Sequence, residues 1–243
     1  MKIIINGAGG RMGREVARLI EAPDECVAKI DKYNTDTDML TSLFEYEGEA
    51  DVIIDFSYPV ATPEILKYAE NRGIPLVIAT TGHTDAVKEM ISEASKHIPI
   101  FFSANMSLGV ALLVNLAKQA AKAFPDADIE IVETHHNRKI DAPSGTAFMI
   151  ADAIKEVRGK CKYIFGRRGS TPRIKGDIGI HAVRGGNIVG THEVMLITDT
   201  QTITLKHEAH DRALFAEGAI SAARFVSSSE AGLYDMYDMI EKL

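Results

Sequence analysis

The run KIIINGAGGRMGREV, Lys2–Val16, decides the fold. Ile3, Ile4 and Ile5 are consecutive β-branched residues, apolar on both faces of an extended chain, as in a strand buried inside a parallel sheet. Glycines follow at once, and REVARLIEA (Arg14–Ala22) then has helical spacing. Gly7, Gly10 and Gly13 form GxxGxxG, with Gly9 an extra glycine. At a first strand–helix junction the first glycine allows a tight turn, the middle ones let backbone approach a pyrophosphate, and the last lets helix and strand pack closely. Free N–H groups at the helix start then face the anion.

Outward from this junction, short apolar runs alternate with helical patterns. Strands are expected over Cys26–Asp31, Asp51–Phe56, Pro75–Thr80 and Ile98–Asn105, with helices over Pro63–Asn71 and Asp85–Lys96. This is the rhythm of an α/β domain with a parallel sheet. Asp31 closes the second strand roughly 20 residues beyond the glycines, where a carboxylate can bond ribose hydroxyls. Lys32 follows and could meet a 2′-phosphate. ATTG (Ala79–Gly82) and SANMS (Ser103–Ser107) sit at carboxyl ends of later strands, the edge where open α/β sheets bind ligands.

The rhythm then changes. Ser107 to about Phe124 reads as a long helix with Ser107 as N-cap, DIEIVET (Asp128–Thr134) as a strand and Thr146–Val157 as a helix. Gly176–His210 reads as long antiparallel strands with a hairpin turn at Gly185-Gly186, and Ala213–Ser227 as a helix. Parallel first and antiparallel later, the chain is expected to form two domains. Between them Gly159–Asp177 carries Lys160, Lys162, Arg167, Arg168, Arg173 and Lys175 among glycines and a proline. It reads as a solvated loop or, more sharply, as a mobile cover that attracts an anionic substrate.

Bulk properties narrow the function. The 243 residues are 46% hydrophobic and 25% charged, as in an ordinary soluble globular protein. A net charge of -7 argues against a general nucleic-acid binder. Cys26 and Cys161 form no CxxC pair, so neither a disulfide framework nor a cysteine zinc site is expected. The apolar start is too short for a signal peptide, and no segment reaches the roughly 18 apolar residues of a membrane span. The reading is a cytoplasmic soluble protein.

The chemistry gathers in VETHHNRKIDAPSGTA, Val132–Ala147. His135 and His136 are adjacent and point in opposite directions on an extended chain, so they do not form a shared metal site, and no HExxH spacing exists. One is a candidate proton carrier and the other a structural hydrogen-bonding histidine. Lys139 reads as a cation for a carboxylate or as a second proton donor. Ser144, Gly145 and Thr146 open the next helix, where backbone N–H groups and a hydroxyl make an anion site or a simple N-cap. Together these groups suit a small carboxylate-bearing molecule beside a nicotinamide.

GAGGRMG, ATTG, SANMS and above all ETHHNRKIDAPSGTA resemble the 4-hydroxy-tetrahydrodipicolinate reductase (dihydrodipicolinate reductase) family, as do GDIGIHAVRGGNIVGTHEV and AHDRALFAEGA. The likeness runs over nearly the whole chain in the same order. It implies a Rossmann-like domain, residues 1–106 completed by 213–243, and an inserted α+β domain, 107–212, whose mixed open sheet builds a homotetramer. It implies NAD(P)H-dependent reduction of 4-hydroxy-tetrahydrodipicolinate to tetrahydrodipicolinate, with loss of water, in diaminopimelate and lysine biosynthesis. His135 would be the proton donor and Lys139 a second donor, while His136, Ser144, Gly145 and Thr146 would hold the cyclic dicarboxylate. Gly7, Ala8, Gly9, Gly10, Arg11, Met12, Asp31, Lys32, Ala79, Thr80, Thr81, Ser103, Ala104, Asn105 and Met106 would line the cofactor. Tyr58 stands where some relatives carry arginine near the cofactor phosphate, so NADH and NADPH are both expected to serve, NADH equally or better. The HHNRKIDAPSGT loop argues against another two-domain dehydrogenase, and His135 with Lys139 against a non-catalytic nucleotide sensor.

Overall fold

Ile3, Ile4 and Ile5 are wholly buried in β1, Lys2–Asn6, of the computed structural model, which describes residues 1–33 and 38–242. Helix α1, Arg11–Leu19, begins three residues earlier than its spacing indicated and takes Gly13 into its first turn. Strands β2 (Glu25–Ile30), β3 (Val52–Asp55), β4 (Leu76–Ile78) and β5 (Pro99–Phe102) follow. β2 has its expected length, shifted by one residue, while β3, β4 and β5 are shorter than expected, because their apolar runs continue past the residues that pair. Between them lie α2 (Thr62–Arg72), which ends at Gly73 with φ +62°, and α3 (Asp85–Ala94), capped by the Thr84 hydroxyl accepting from the Val87 N–H.

The chain then builds a second unit, Leu108–Arg212. It comprises α4 (Leu108–Ala123), β6 (Asp128–His135), α5 (Gly145–Arg158), β7 (Lys162–Phe165), β8 (Asp177–Arg184), β9 (Gly190–Ile197) and β10 (Thr202–Ala209). The sheet order is β10-β9-β6-β8-β7. Inward side chains Ile129, Ile131, Ile178, Ile180, Val194 and Leu196 pack with α4 and α5 residues such as Val114 and Ile150 into one core. Along β6, buried and half-buried residues alternate, so its second face carries Glu130, Val132 and Thr134 away from that core.

Two expectations for this unit need correction. Gly185-Gly186 is not a hairpin turn: β8 and β9 flank β6, pairing with it in parallel and antiparallel sense respectively. The inward isoleucines of β6 are fully buried, and its central position gives them neighbours on both sides. The glycine turn, with Gly186 at φ +51°, instead passes the end of β6: the Gly185 N–H donates to the His135 carbonyl and Asn137 N–H to that of Gly186. The true hairpin joins β9 and β10, closed by the Thr198 N–H on the Gln201 carbonyl. The basic stretch Gly159–Asp177 is likewise not a simple cover. It contains β7, and its cations are drawn to carboxylates: Arg167 to Glu130 (3.1 Å), Arg173 to Glu130 and to Asp128 (2.7 Å), and Lys175 to Asp126 (2.8 Å).

The chain returns to the first unit, Met1–Ser107 with Ala213–Leu243. Helix α6 spans Ala213–Ser227 as its periodicity indicated and packs on β3, β4, β5 and α1. Strand β11 (Gly232–Tyr234) and helix α7 (Met236–Glu241) had no clear signal: one is three residues long, the other rests on a capping box between Asp235 and Asp238. The first sheet is wholly parallel, in the order β11-β5-β4-β3-β1-β2. No helix among the described residues is long and apolar enough to cross a membrane.

Gly218 sits in the middle of α6 where an added Cβ would run into the Met106 carbonyl. Alanine gains about 1 kcal/mol of helix propensity over glycine, but overpacking against fixed backbone costs typically 1–3 kcal/mol or more. Gly218→Ala should therefore lower the melting temperature, at about 2–4 °C per kcal/mol for a chain of this size. A thermal melt showing a higher midpoint would mean that α6 shifts freely.

Candidate functional site

In the first unit the residues after β1 form a cradle. Gly7 turns the chain at φ +80°, and a Cβ there would lie 2.7 Å from the Phe56 backbone. A Cβ on Gly13 would strike the Gly7 carbonyl, so that close packing of loop and helix requires glycine. The Gly7 and Ala8 N–H groups donate to the Ile30 carbonyl (2.9 and 3.0 Å), tying the loop to the end of β2. Gly10 caps α1 without a side-chain bond, and no acidic residue stands in the first turn, which keeps the positive end of the helix open to an anion. Asp31 accepts from the Gly9 N–H and the Tyr33 N–H, 3.0 Å each, through different oxygens.

β2 and β3 lie on opposite sides of β1, so the loops that leave β1 and β3 part at this edge. A cleft of about 660 Å³ opens there, at the switch point where parallel sheets bind ligands. Of the expected cofactor residues, Gly7, Gly9, Gly10, Asp31 and Lys32 line it. Ala8 is buried beneath and Arg11 is exposed on the first helical turn. Ala79, Thr80 and Thr81 follow β4, and Ser103, Ala104, Asn105 and Met106 follow β5, on the same carboxyl edge but outside that cleft. Met12 likewise does not line it. Tyr58 does, exposed and edge-to-face with Tyr33 at 6.0 Å between centroids. Sequence reasoning missed Thr41 and Ser42, which reach the cleft from a loop with no motif.

Under the cleft lies a carboxylate that also escaped notice. Asp55 has no exposed surface and accepts from Asn6 Nδ2 (2.7 Å), Ser57 Oγ (2.5 Å) and Thr80 Oγ1 (2.8 Å). Burial pushes its carboxyl above the ordinary range, against the opposing effect of these donors. It ties the ends of β1, β3 and β4 together beneath the cradle.

In the second unit the inward positions of β6 read Ile129, Ile131, Glu133, His135. The core becomes a polar site within two residues. His135 Nδ1 lies 2.6 Å from Glu133 Oε2. Arg184, from the end of β8, makes a two-pronged pair with the Glu133 carboxylate (2.8 and 2.7 Å). The Ser144 N–H, just before α5, donates to Glu133 Oε1 (3.0 Å). Burial works to raise the Glu133 carboxyl, but Arg184 and then His135 outweigh it and hold it below its usual value. On β9, His192 sits edge-to-face with His135 at 5.2 Å, and its Nε2 is 2.9 Å from Ser144 Oγ. Burial, then the neighbouring His135, pushes His192 down to about 4, so it is neutral near pH 7.

Around this core the loop residues take their places. Lys139 is held by Asp141 at 2.8 Å, which keeps the Asp141 carboxyl low. His136 is half-buried, with Nε2 3.5 Å from Arg212 Nη2, and burial followed by Arg138 and Arg212 lowers its pKa. Ser144 caps α5, its hydroxyl accepting from the Ala147 N–H. A side chain on Gly145 would meet open space, and no acidic residue stands in the first turn of α5, so that terminus too can receive an anion. The structure thus brings His135, Lys139, His136, Ser144, Gly145 and Thr146 to one end of one sheet and its following helix. Glu133, Arg184, His192 and Asp141 were missed. The signal for Glu133 was present, a carboxylate at an inward position of an alternating strand. Arg184 and His192 meet it only through strand order.

Comparison with known proteins gives a consistent result. The family profile described as dihydrodipicolinate reductase, N-terminus, matches residues 1–106, and that described as dihydrodipicolinate reductase, C-terminus, matches residues 109–240. A 4-hydroxy-tetrahydrodipicolinate reductase from Caldanaerobacter subterraneus subsp. tengcongensis is 50% identical, spanning 100% of this chain and 99% of that protein. One from Alkaliphilus metalliredigens is 46% identical, spanning 99% of each. A dipicolinate-bound dihydrodipicolinate reductase from a Paenisporosarcina species superposes with a TM-score of 0.83 at 25% identity, over 97% of each chain. An aspartate dehydrogenase from Thermotoga maritima, at TM-score 0.52 and 14% identity over 95% of this chain and 98% of that one, shares the fold alone. With both halves matched and full-length relatives at this identity, the chain belongs to the dihydrodipicolinate reductase family.

Proposed function

We propose that the chain is an NAD(P)H-dependent reductase of 4-hydroxy-tetrahydrodipicolinate in diaminopimelate and lysine biosynthesis. The observation that carries this reading is the end of β6, where a buried, carboxylate-bound imidazole adjoins an open helix N-terminus and a lysine. The Paenisporosarcina relative binds dipicolinate, a planar dicarboxylate. Such a molecule asks for an anion site beside a proton source, and the substrate has the same two carboxylates. Net, the substrate loses water, made of its hydroxyl and one ring hydrogen, and gains one hydride and one proton.

The nicotinamide, when bound, supplies the hydride. The glycine cradle and the start of α1 receive the cofactor pyrophosphate, and Asp31 accepts from ribose hydroxyls. Residues Ala79–Thr81 and Ser103–Met106 continue the cofactor surface along the sheet edge. His135 donates the proton beside the carbon that takes the hydride. Lys139 serves as a second donor or as a cation for a substrate carboxylate. His136 and the Ser144–Thr146 turn hold the substrate, with backbone N–H groups of α5 facing a carboxylate. The proposed assembly is a homotetramer joined through the sheet face that α4 and α5 leave uncovered, and the proposed setting is the cytoplasm.

Substituting the proton donor tests the chemistry. His135→Gln should lower kcat by about 10²–10⁴-fold, the usual worth of general acid catalysis, with little change in KM for the cofactor. The measurement is the decay of reduced-nicotinamide absorbance with freshly prepared substrate, and a kcat within about threefold of wild type would remove His135 from the role.

Cofactor choice follows from the cleft mouth. Asp31 suits a ribose diol and repels a 2′-phosphate. Exposed Lys32 offsets that repulsion, but without the bidentate fork of an arginine, and Tyr58 adds no charge. Both cofactors should work, with NADH equal or better in kcat/KM. Lys32→Ala should impair NADPH selectively, and added salt should weaken NADPH use more than NADH use. Steady-state kinetics at two ionic strengths decide it: an NADPH preference above about tenfold, roughly 1.4 kcal/mol, would overturn the reading.

A further inference from the structure

We propose that Glu133 is a positioning residue that directs proton transfer at His135, so that the imidazole releases and regains its proton only through Nε2. The inference deepens the role of His135 given above and rests on it.

The argument is one of counting lone pairs. Glu133 has no exposed surface, and its two oxygens receive four contacts. Oε1 takes Arg184 Nη2 and the Ser144 N–H; Oε2 takes Arg184 Nη1 and His135 Nδ1. An ionised carboxylate is acceptor-only with about four lone-pair sites, so this one is saturated. The guanidinium fork beside it keeps it ionised. The hydrogen between Glu133 and His135 therefore belongs to Nδ1. Neutral His135 must then carry its lone pair on Nε2, and protonated His135 must give up the Nε2 proton first. An imidazole without such a partner populates both tautomers, and the Nε2–H one presents no lone pair at Nε2 to take a proton back.

The surroundings of His135 agree with this assignment. On β9, a Cβ at Gly190 would stand 3.0 Å from Nε2, so glycine there leaves room at the reacting nitrogen. His192, also on β9, is neutral and adds no like charge against the ring. Of the charges near this end of the sheet, Arg184 of β8 is paired with Glu133 and Lys139 with Asp141 in the loop after β6, while Arg138 and Arg212 act on His136. The same carboxylate also fixes the turn before α5 through Ser144, so one side chain sets both the proton's direction and the start of the anion-binding helix.

The test reads the tautomer directly. Nitrogen NMR of histidine-labelled protein, with His135 assigned by the signals lost in His135→Gln, should show neutral His135 as the Nδ1–H form alone. Glu133→Gln, which keeps the shape and removes the charge, should give a mixture of tautomers. Its kcat should fall on the order of 10²-fold or more while the cofactor KM stays within about threefold, as when a histidine loses its orienting carboxylate. A wild-type spectrum showing Nε2–H or a mixture overturns the proposal, and it does so even if Glu133→Gln does not fold. An inactive His135→Gln beside a fully active Glu133→Gln also overturns it. A fully active His135→Gln instead overturns the proton-donor reading itself, a result distinct from the other two.

Discussion

A negative charge with no access to water shapes the second unit. Glu133 can stay ionised only if donors replace the lost hydration, and it recruits them from three directions: Arg184 across the parallel pair, His135 two residues on, and the backbone before α5. Removing one partner of such a buried pair typically costs about 3–5 kcal/mol, because the remaining charge is left uncompensated. Strand order, the end of β6 and the start of α5 are thereby coupled. The glycine turn between β8 and β9 adds to this, since its Gly185 N–H holds the His135 carbonyl and lets β9 bring His192 to the other side.

The first unit uses the same device with a different sign of outcome. Asp55 is as buried as Glu133 but meets only neutral donors, Asn6, Ser57 and Thr80. Burial therefore wins and raises its carboxyl, where the guanidinium of Arg184 reverses that effect for Glu133. Asp55 works as a clasp for three strand ends rather than as part of a proton path. The cradle above it depends on steric absence instead: Gly7 and Gly13 leave space that any side chain would fill. Charge placement at the two helix starts follows a common rule, with no acidic residue in the first turn of α1 or α5.

Much of this was legible in the residues. Consecutive isoleucines before clustered glycines marked β1 and the turn into α1, because a parallel strand buried on both faces is apolar throughout and the β-branched side chains suit it. The helical spacing over Ala213–Ser227 coincides with α6 at both ends. The loop VETHHNRKIDAPSGTA announced its chemistry through residue types whose proton and anion affinities are intrinsic. The stretch from Gly176 to His210 does not disclose its pairing, because each strand's local pattern is the same whether its partner is the next strand or one laid down earlier. A pair of glycines looks like a hairpin in either case.

The sequence by itself determined where apolar faces, tight turns and proton-bearing groups occur, and through its likeness to one family what reaction they serve. Those properties depend on neighbours within a few positions along the chain. Only the tertiary structure decided which groups share a charge. Arg184 lies 51 positions from Glu133 and Ser144 lies 48 from His192, and the insertion of β6 between β8 and β9 is what brings each pair into contact. Pairing at that separation is set by strand order, and strand order is set by burial of the whole sheet face on α4 and α5, a sum that no local pattern contains.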